Sequence, residues 1–130
     1  MRILYLFLVI ICTFSCKKTN SNYVITNICK EQITITSKNG YTKNYYTNSI
    51  NTESIGHYKE GIRQGFWKFF YRNGNIKAEG HYEVGKKQGY WKEYHKNGNI
   101  KSEGHINDCK PSGYWKFYDK KNNLIKETNY

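Results

Sequence analysis

The chain has 130 residues, a formal net charge of +11, 24% charged residues and a mean hydropathy of −0.85. That size allows one domain with a modest core, and that polarity excludes a bundle of several transmembrane helices. The excess of Lys and Arg points to anionic partners rather than cationic ones.

Residues 1–15, MRILYLFLVIICTFS, place one Arg ahead of an apolar run from Ile3 to Ile11. The run has the length of a signal-peptide core and is too short for a stable bilayer span. Ser15 precedes Cys16, and Lys17 and Lys18 open a polar stretch. This resembles a bacterial lipoprotein signal, which implies cleavage before Cys16, lipid on that cysteine, and a lipid-anchored place in the cell envelope. Acyl chains then hold the protein on a membrane without a transmembrane helix. Residues 16–30 read as a tether, in which Tyr23, Val24 and Ile25 could add an edge strand. An exported address makes nucleic acid the least accessible polyanion and leaves anionic lipid, wall polymer or a protein as partners.

Export also leaves Cys29 and Cys109 as the cysteines able to pair in an oxidising compartment. Their Cα atoms must approach within about 7 Å, yet they lie at opposite ends of a repeat array. They are expected to stay apart unless the segment around Cys29 folds back along the sheet.

Residues 31–52 contain Ile33 and Ile35 alternating with Thr, then Asn39-Gly40 as a turn signal and Tyr41–Tyr46 as a second strand. They read as a degenerate capping hairpin, because the first unit of a stacked array must differ from the rest to end it in water. From residue 53 the chain repeats with a period of 24. GFWKFFYRNGNIKAEG at 65–80 returns as GYWKEYHKNGNIKSEG at 89–104, and again, less faithfully, at 113–128. Each unit of 53–130 holds an aromatic run and a returning strand, joined in the first two by an Asn-Gly pair that suits a hairpin. Trp67, Trp91 and Trp115 occupy one column, and Gly65, Gly89 and Gly113 another. Gly80 and Gly104 form a third with Gly56, and Gly74 and Gly98 mark the turns. A lone hairpin is marginal in water, so stacking is what buries the tryptophans. The predicted fold is all-β: an elongated, twisted antiparallel sheet of stacked hairpins.

The pattern G-x-W-x-x-Y/F…N-G-x-I-K-x-E-G over 53–130 resembles the MORN repeat, in the bacterial variant found in proteins described as YwqK-family antitoxins. The resemblance implies structural roles for Gly65, Trp67, Phe70, Gly74, Ile76, Glu79, Gly80 and Tyr82. In the next unit it implies them for Gly89, Trp91, Tyr94, Gly98, Ile100, Glu103 and Gly104. The third unit departs at Asn122, where the turn glycine is missing, and is expected to be a frayed or capping unit.

Chemistry is sparse. His57, His81 and His105 share a column, but equivalent residues two strands apart stand about 10 Å from each other, whereas ligands of one zinc ion must all come within about 2.1 Å of it. No metal and no cofactor are expected. The carboxylates Glu79, Glu103 and Glu127 repeat with the fold and suit cross-strand pairing with Lys. No nucleophile elbow, phosphate loop or HExxH occurs, so no catalytic residues are expected. Lys68, Lys92 and Lys116 share a face with Phe70, Tyr94 and Tyr118 by the two-residue strand period, which gives a candidate binding face. The alternative is that the rings pack together and the Lys stems cover them. The sequence therefore supports a non-enzymatic, lipid-anchored binding or scaffold module. The second reading is an antitoxin or immunity-type inhibitor of one toxin, a role that an exported chain fits poorly.

Overall fold

The computed structural model describes residues 38–130. They form eight strands: β1 (Gly40–Tyr45), β2 (Thr52–Lys59), β3 (Ile62–Phe70), β4 (Ile76–Glu83), β5 (Lys86–Tyr94), β6 (Ile100–Asn107), β7 (Lys110–Tyr118) and β8 (Leu124–Asn129). All lie in one antiparallel sheet in chain order, so every strand pairs with its sequence neighbours. The register repeats with the sequence: Lys68 lies opposite Glu79, Lys92 opposite Glu103, and Lys116 opposite Glu127. The all-β stack of hairpins expected from the 24-residue period is the observed fold. The signal segment, Cys16, the tether and the first expected strand of the capping hairpin lie outside the described residues.

The two edges of the sheet use different turns. Along one edge the connections are two residues long: Glu60-Gly61, Val84-Gly85 and Asp108-Cys109, each with positive φ at both positions. Such turns match the right-handed twist of the flanking strands. Along the other edge, Asn-Gly does not form the tight hairpin that the dipeptide suggested. Gly74 and Gly98 have positive φ, while Asn73 and Asn97 do not. The loop is longer, with Gly74 N–H donating to Tyr71 O at 2.9 Å and Tyr71 N–H to Asn75 O at 2.8 Å. Asn122 adopts φ 69° in the glycine's place and keeps the same turn, Asn122 N–H donating to Asp119 O at 3.0 Å. Asn tolerates the left-handed region better than most residues. The third unit is thus not frayed: β7 and β8 pair from Tyr114–Asn129 to Tyr118–Leu124.

The core lies on one face of this single sheet. Trp67, Trp91 and Trp115 are buried, together with Tyr58, Tyr82 and Ile106, and Phe69, Ala78 and Phe117 pack against them. Each indole lies over a glycine of the preceding strand: Trp67 over Gly56, Trp91 over Gly80, Trp115 over Gly104. Its N–H donates to the next carbonyl, of His57, His81 and His105, at 3.2, 3.2 and 2.9 Å. Tyr58 and Tyr82 meet the indoles edge-on, at 4.9 Å for Tyr58–Trp67 and 5.3 Å for Tyr82–Trp91. Burial of each Trp therefore needs a bare backbone in the unit before it and an aromatic edge beside it. No unit supplies both alone.

Candidate binding surfaces

The face opposite the tryptophans carries rows that run across the strands. The first row is Lys43, Ile55, Lys68, Glu79, Lys92, Glu103, Lys116 and Glu127, each placed opposite the next in the ladder. Lys68, Lys92 and Lys116 stand 3.5, 3.9 and 3.7 Å from carboxylate oxygens of Glu79, Glu103 and Glu127. The phenols of Tyr94 and Tyr118 donate to Glu79 and Glu103 at 2.6 and 2.8 Å. Burial, followed by the hydrogen bond to Glu79, pushes the Tyr94 phenol up, and the bond to Glu103 does the same for Tyr118. The candidate face of Lys68, Phe70, Lys92, Tyr94, Lys116 and Tyr118 is therefore brought together on one side of the sheet. Its lysines stand within a charge-alternating ladder, so the row as a whole carries little excess charge.

Beside it runs a second row of exposed rings. Phe66 lies opposite His81 and Tyr90 opposite His105, the paired rings meeting edge-on at 5.2 and 5.1 Å. Tyr41 lies opposite His57 at one end of the row and Tyr114 opposite Asn129 at the other. This row exists because the bulge at Gly65, Gly89 and Gly113, all with positive φ, sets the aromatic at 66, 90 or 114 on this face and the Trp after it on the other. Among the described residues no group of three His, Cys, Asp or Glu could hold a metal ion.

Uncompensated positive charge gathers elsewhere, on the edge with the longer loops. Arg72, Lys96, Lys120 and Lys121 lie in these loops with Asp119 as the one carboxylate, whereas at the opposite edge Glu60, Glu83 and Asp108 stand beside Lys59, Lys86 and Lys110, and Asp108 pairs with Lys86 at 2.6 Å. Asp119 is committed to its own loop, accepting from Lys121 N–H and Asn123 N–H at 2.8 Å, and the contacts with Asn123 hold its carboxyl below the usual range. A ladder of side chains locks each loop to the next. Asn51, Asn75 and Asn99 donate to the carbonyls of Arg72, Lys96 and Lys120 at 2.9, 2.9 and 2.8 Å. Tyr71 donates to Tyr94 O at 2.7 Å, and His95 Nε2 bonds Tyr118 O at 2.9 Å. The backbone that bears the basic side chains is thereby fixed.

Reading the columns by residue type missed two features. One is this asparagine ladder, which the 24-residue register shows as Asn51, Asn75 and Asn99. The other is a cation over the indole, with Arg63 5.0 Å from the Trp67 ring and Lys87 4.6 Å from Trp91. Positions 63 and 87 also differ by 24, but Pro111 follows them and hides the column.

Cys109 is disulfide-bonded, to a cysteine that lies outside the described residues. The expectation that Cys29 and Cys109 stay apart counted strands between them, but the described sheet begins at Gly40. The eleven chain steps from Cys29 to Gly40 could span about 36 Å when extended, more than the roughly 24 Å of five strand spacings. Cys29 itself lies outside the described residues.

The family model for the MORN repeat variant matches residues 63–83 and 87–108. Residues 63–108 are thus a MORN-variant repeat region, and the matches cover one unit each of the 24-residue period. No curated protein and no solved structure matches the chain significantly.

Proposed function

We propose that this protein is a non-enzymatic binding module of the cell envelope, anchored by lipid on Cys16, that presents its basic loop edge to an anionic surface. The observation that carries the reading is the difference in charge between the two edges of the sheet: Arg72, Lys96, Lys120 and Lys121 stand against one carboxylate, Asp119, on one, while Lys59, Lys86 and Lys110 are balanced by Glu60, Glu83 and Asp108 on the other. Such a polarity orients the array edge-on. The apolar run Ile3–Ile11 followed by Ser15-Cys16 supports the anchor. Charges act over about 8 Å at physiological salt, so the edge contributes only once the anchor has brought it close. Each cation near an anionic bilayer then adds on the order of 1 kcal/mol, and the asparagine ladder holds several at one level.

Vesicle sedimentation tests the edge, using the chain from Lys17 onward with anionic or zwitterionic vesicles. It should sediment with anionic vesicles at low salt and be released as salt rises. The triple variant Arg72→Glu, Lys96→Glu, Lys120→Glu should stay in solution. Equal binding of that variant would refute the edge as the contact. For the anchor, Cys16→Ala should abolish metabolic lipid labelling of the full chain, and persistent labelling would refute it.

A further inference from the structure

The row of exposed rings opposite the tryptophans has no role in that reading, and it carries a separate inference from different residues. We propose that Tyr41, Phe66, Tyr90 and Tyr114 form a docking track for an extended, uncharged β-1,4-linked polysaccharide chain.

Three observations point to that ligand. The rings are exposed where burial would be expected of a packing residue: Tyr41 is 72% exposed, Phe66 45%, Tyr90 44% and Tyr114 73%. They recur on β1, β3, β5 and β7, so neighbouring rings stand about 10 Å apart, two strand spacings, and that is also the length of one disaccharide in an extended β-1,4-linked chain. A sugar presents an apolar C–H face to an aromatic ring, and one ring per disaccharide meets the same face each time because alternate sugars are flipped. The rings are also held in place. His81 and His105 meet Phe66 and Tyr90 edge-on, which reduces the ordering cost of binding.

Charge selects among polysaccharides. The ladder next to the track alternates Lys68, Glu79, Lys92, Glu103, Lys116 and Glu127. A polyanion laid along it would gain from one residue and lose at the next. Hydroxyl and acetamido groups find both donors and acceptors there, together with the ring nitrogens of the exposed His57, His81 and His105. Length follows from the fold: Tyr41 to Tyr114 spans six strand spacings, about 29 Å, or three disaccharides. Sheet twist turns successive strands by about 20–25°, so the track suits a single chain free to twist and not the flat face of a crystal.

Isothermal titration of the chain from Lys17 onward with chitohexaose, and with its dimer and tetramer, tests the proposal. Affinity should rise with each added disaccharide up to the hexamer. Tyr90→Ala should weaken hexamer binding roughly ten-fold, the order of one lost ring contact, and Tyr90→Trp should restore it. Should Tyr90→Ala fail to fold, Tyr114→Ala reports on the same track from its most exposed ring. The loop-edge triple variant should bind chitohexaose as well as the parent, which separates this site from the anionic contact. Cellohexaose binding would support recognition of the shared backbone, and its failure beside chitohexaose binding would support a track that also reads the acetamido groups. No binding of chitohexaose, equal binding of an α-1,6-linked glucose hexamer, or indifference to both ring substitutions would overturn the proposal.

Discussion

The indole of Trp91 lies directly over the backbone of Gly80, and its N–H donates to His81 O at 3.2 Å. A Cβ at position 80 would fall inside the ring, nearest to its fused carbons, and a rigid ring cannot yield as the end of a flexible side chain could. Gly80→Ala must therefore lift the indole off the sheet or push β4 and β5 apart. Overpacking of this kind typically costs 1–3 kcal/mol or somewhat more. Urea unfolding should show Gly80→Ala at the upper end of that range. Gly74→Ala, where no atom lies within 4 Å of the added Cβ, should lose stability only through its φ of 90°. Equal midpoints for Gly80→Ala and the parent would remove the indole-on-glycine contact as the basis of stacking.

Truncating the indole itself ranks the units. Trp91 is 2% exposed, meets Tyr82 edge-on and stacks with Phe69 at 6.5 Å. Trp115 is 7% exposed and meets Tyr130 at 6.5 Å. Removal of a buried aromatic costs roughly 3–5 kcal/mol, a large part of what a domain of this size holds. Trp91→Ala should be the more damaging of the two by thermal unfolding, with Trp115→Ala retaining a cooperative transition. A reversed order would mean that β7 and β8 hold the array together.

The fold was legible because its signal repeats. A 24-residue period in Trp67, Trp91 and Trp115 leaves few architectures, and the glycine column shows where each indole must lie. The details that escaped are those in which several residues share one job. Asn73-Gly74 read alone is a tight hairpin turn, but the Tyr71–Asn75 closure and the Asn75 bond to Lys96 O make it a longer, docked loop. The lysine column read alone is a basic stripe; the glutamate column suited pairing with Lys, and strand register names Lys68, Lys92 and Lys116 as its partners. Asn122 shows the converse: a missing glycine suggested a broken turn, yet Asn takes the same backbone conformation. Thr128 stands where the other units have Gly56, Gly80 and Gly104, so β8 offers no bare backbone for a further indole.

The asparagine ladder predicts graded coupling between units. Asn75 and Asn99 each use the side-chain amide to satisfy a carbonyl of the next loop, at 2.9 and 2.8 Å. Asn73 and Asn97 reach the same carbonyls at 3.0 and 2.7 Å, so loss of one amide leaves the acceptor satisfied. Asn75→Ala should cost less than about 1 kcal/mol, within the ordinary range for one hydrogen bond. The double variant Asn73→Ala, Asn75→Ala should cost more than the sum of the singles, because only then is Lys96 O left to water. Hydrogen exchange at the Tyr71–Asn75 loop would register this before global stability changes. Strict additivity would show that the two amides do not back each other up.

Alkaline unfolding should reveal the phenol–carboxylate pairs. Partial burial of its phenol pushes the half-exposed Tyr90 up to about 12 from an ordinary 10, with a hydrogen bond to Glu103 adding to the shift, and Tyr94 moves the same way through burial and its bond to Glu79. In both cases the fold holds the neutral phenol: an ionised one would lose its proton donor and face a carboxylate. A group whose pKa is raised by folding adds stability that is complete below its unfolded pKa and is lost as pH climbs through the folded value. Stability should therefore be level up to about pH 10 and fall between there and about 12, as the unfolded chain sheds phenolic protons that the folded chain retains. Spectrophotometric titration should find a late fraction of tyrosine ionisation that appears together with loss of the β signal in circular dichroism. Glu79→Gln should move that late fraction to lower pH by removing the carboxylate beside Tyr94, while the amide oxygen still accepts its hydrogen bond. If all the tyrosines titrate together near their ordinary value while the sheet stays folded, the phenols are not coupled to Glu79 and Glu103, and the ladder on this face is held by its lysines alone.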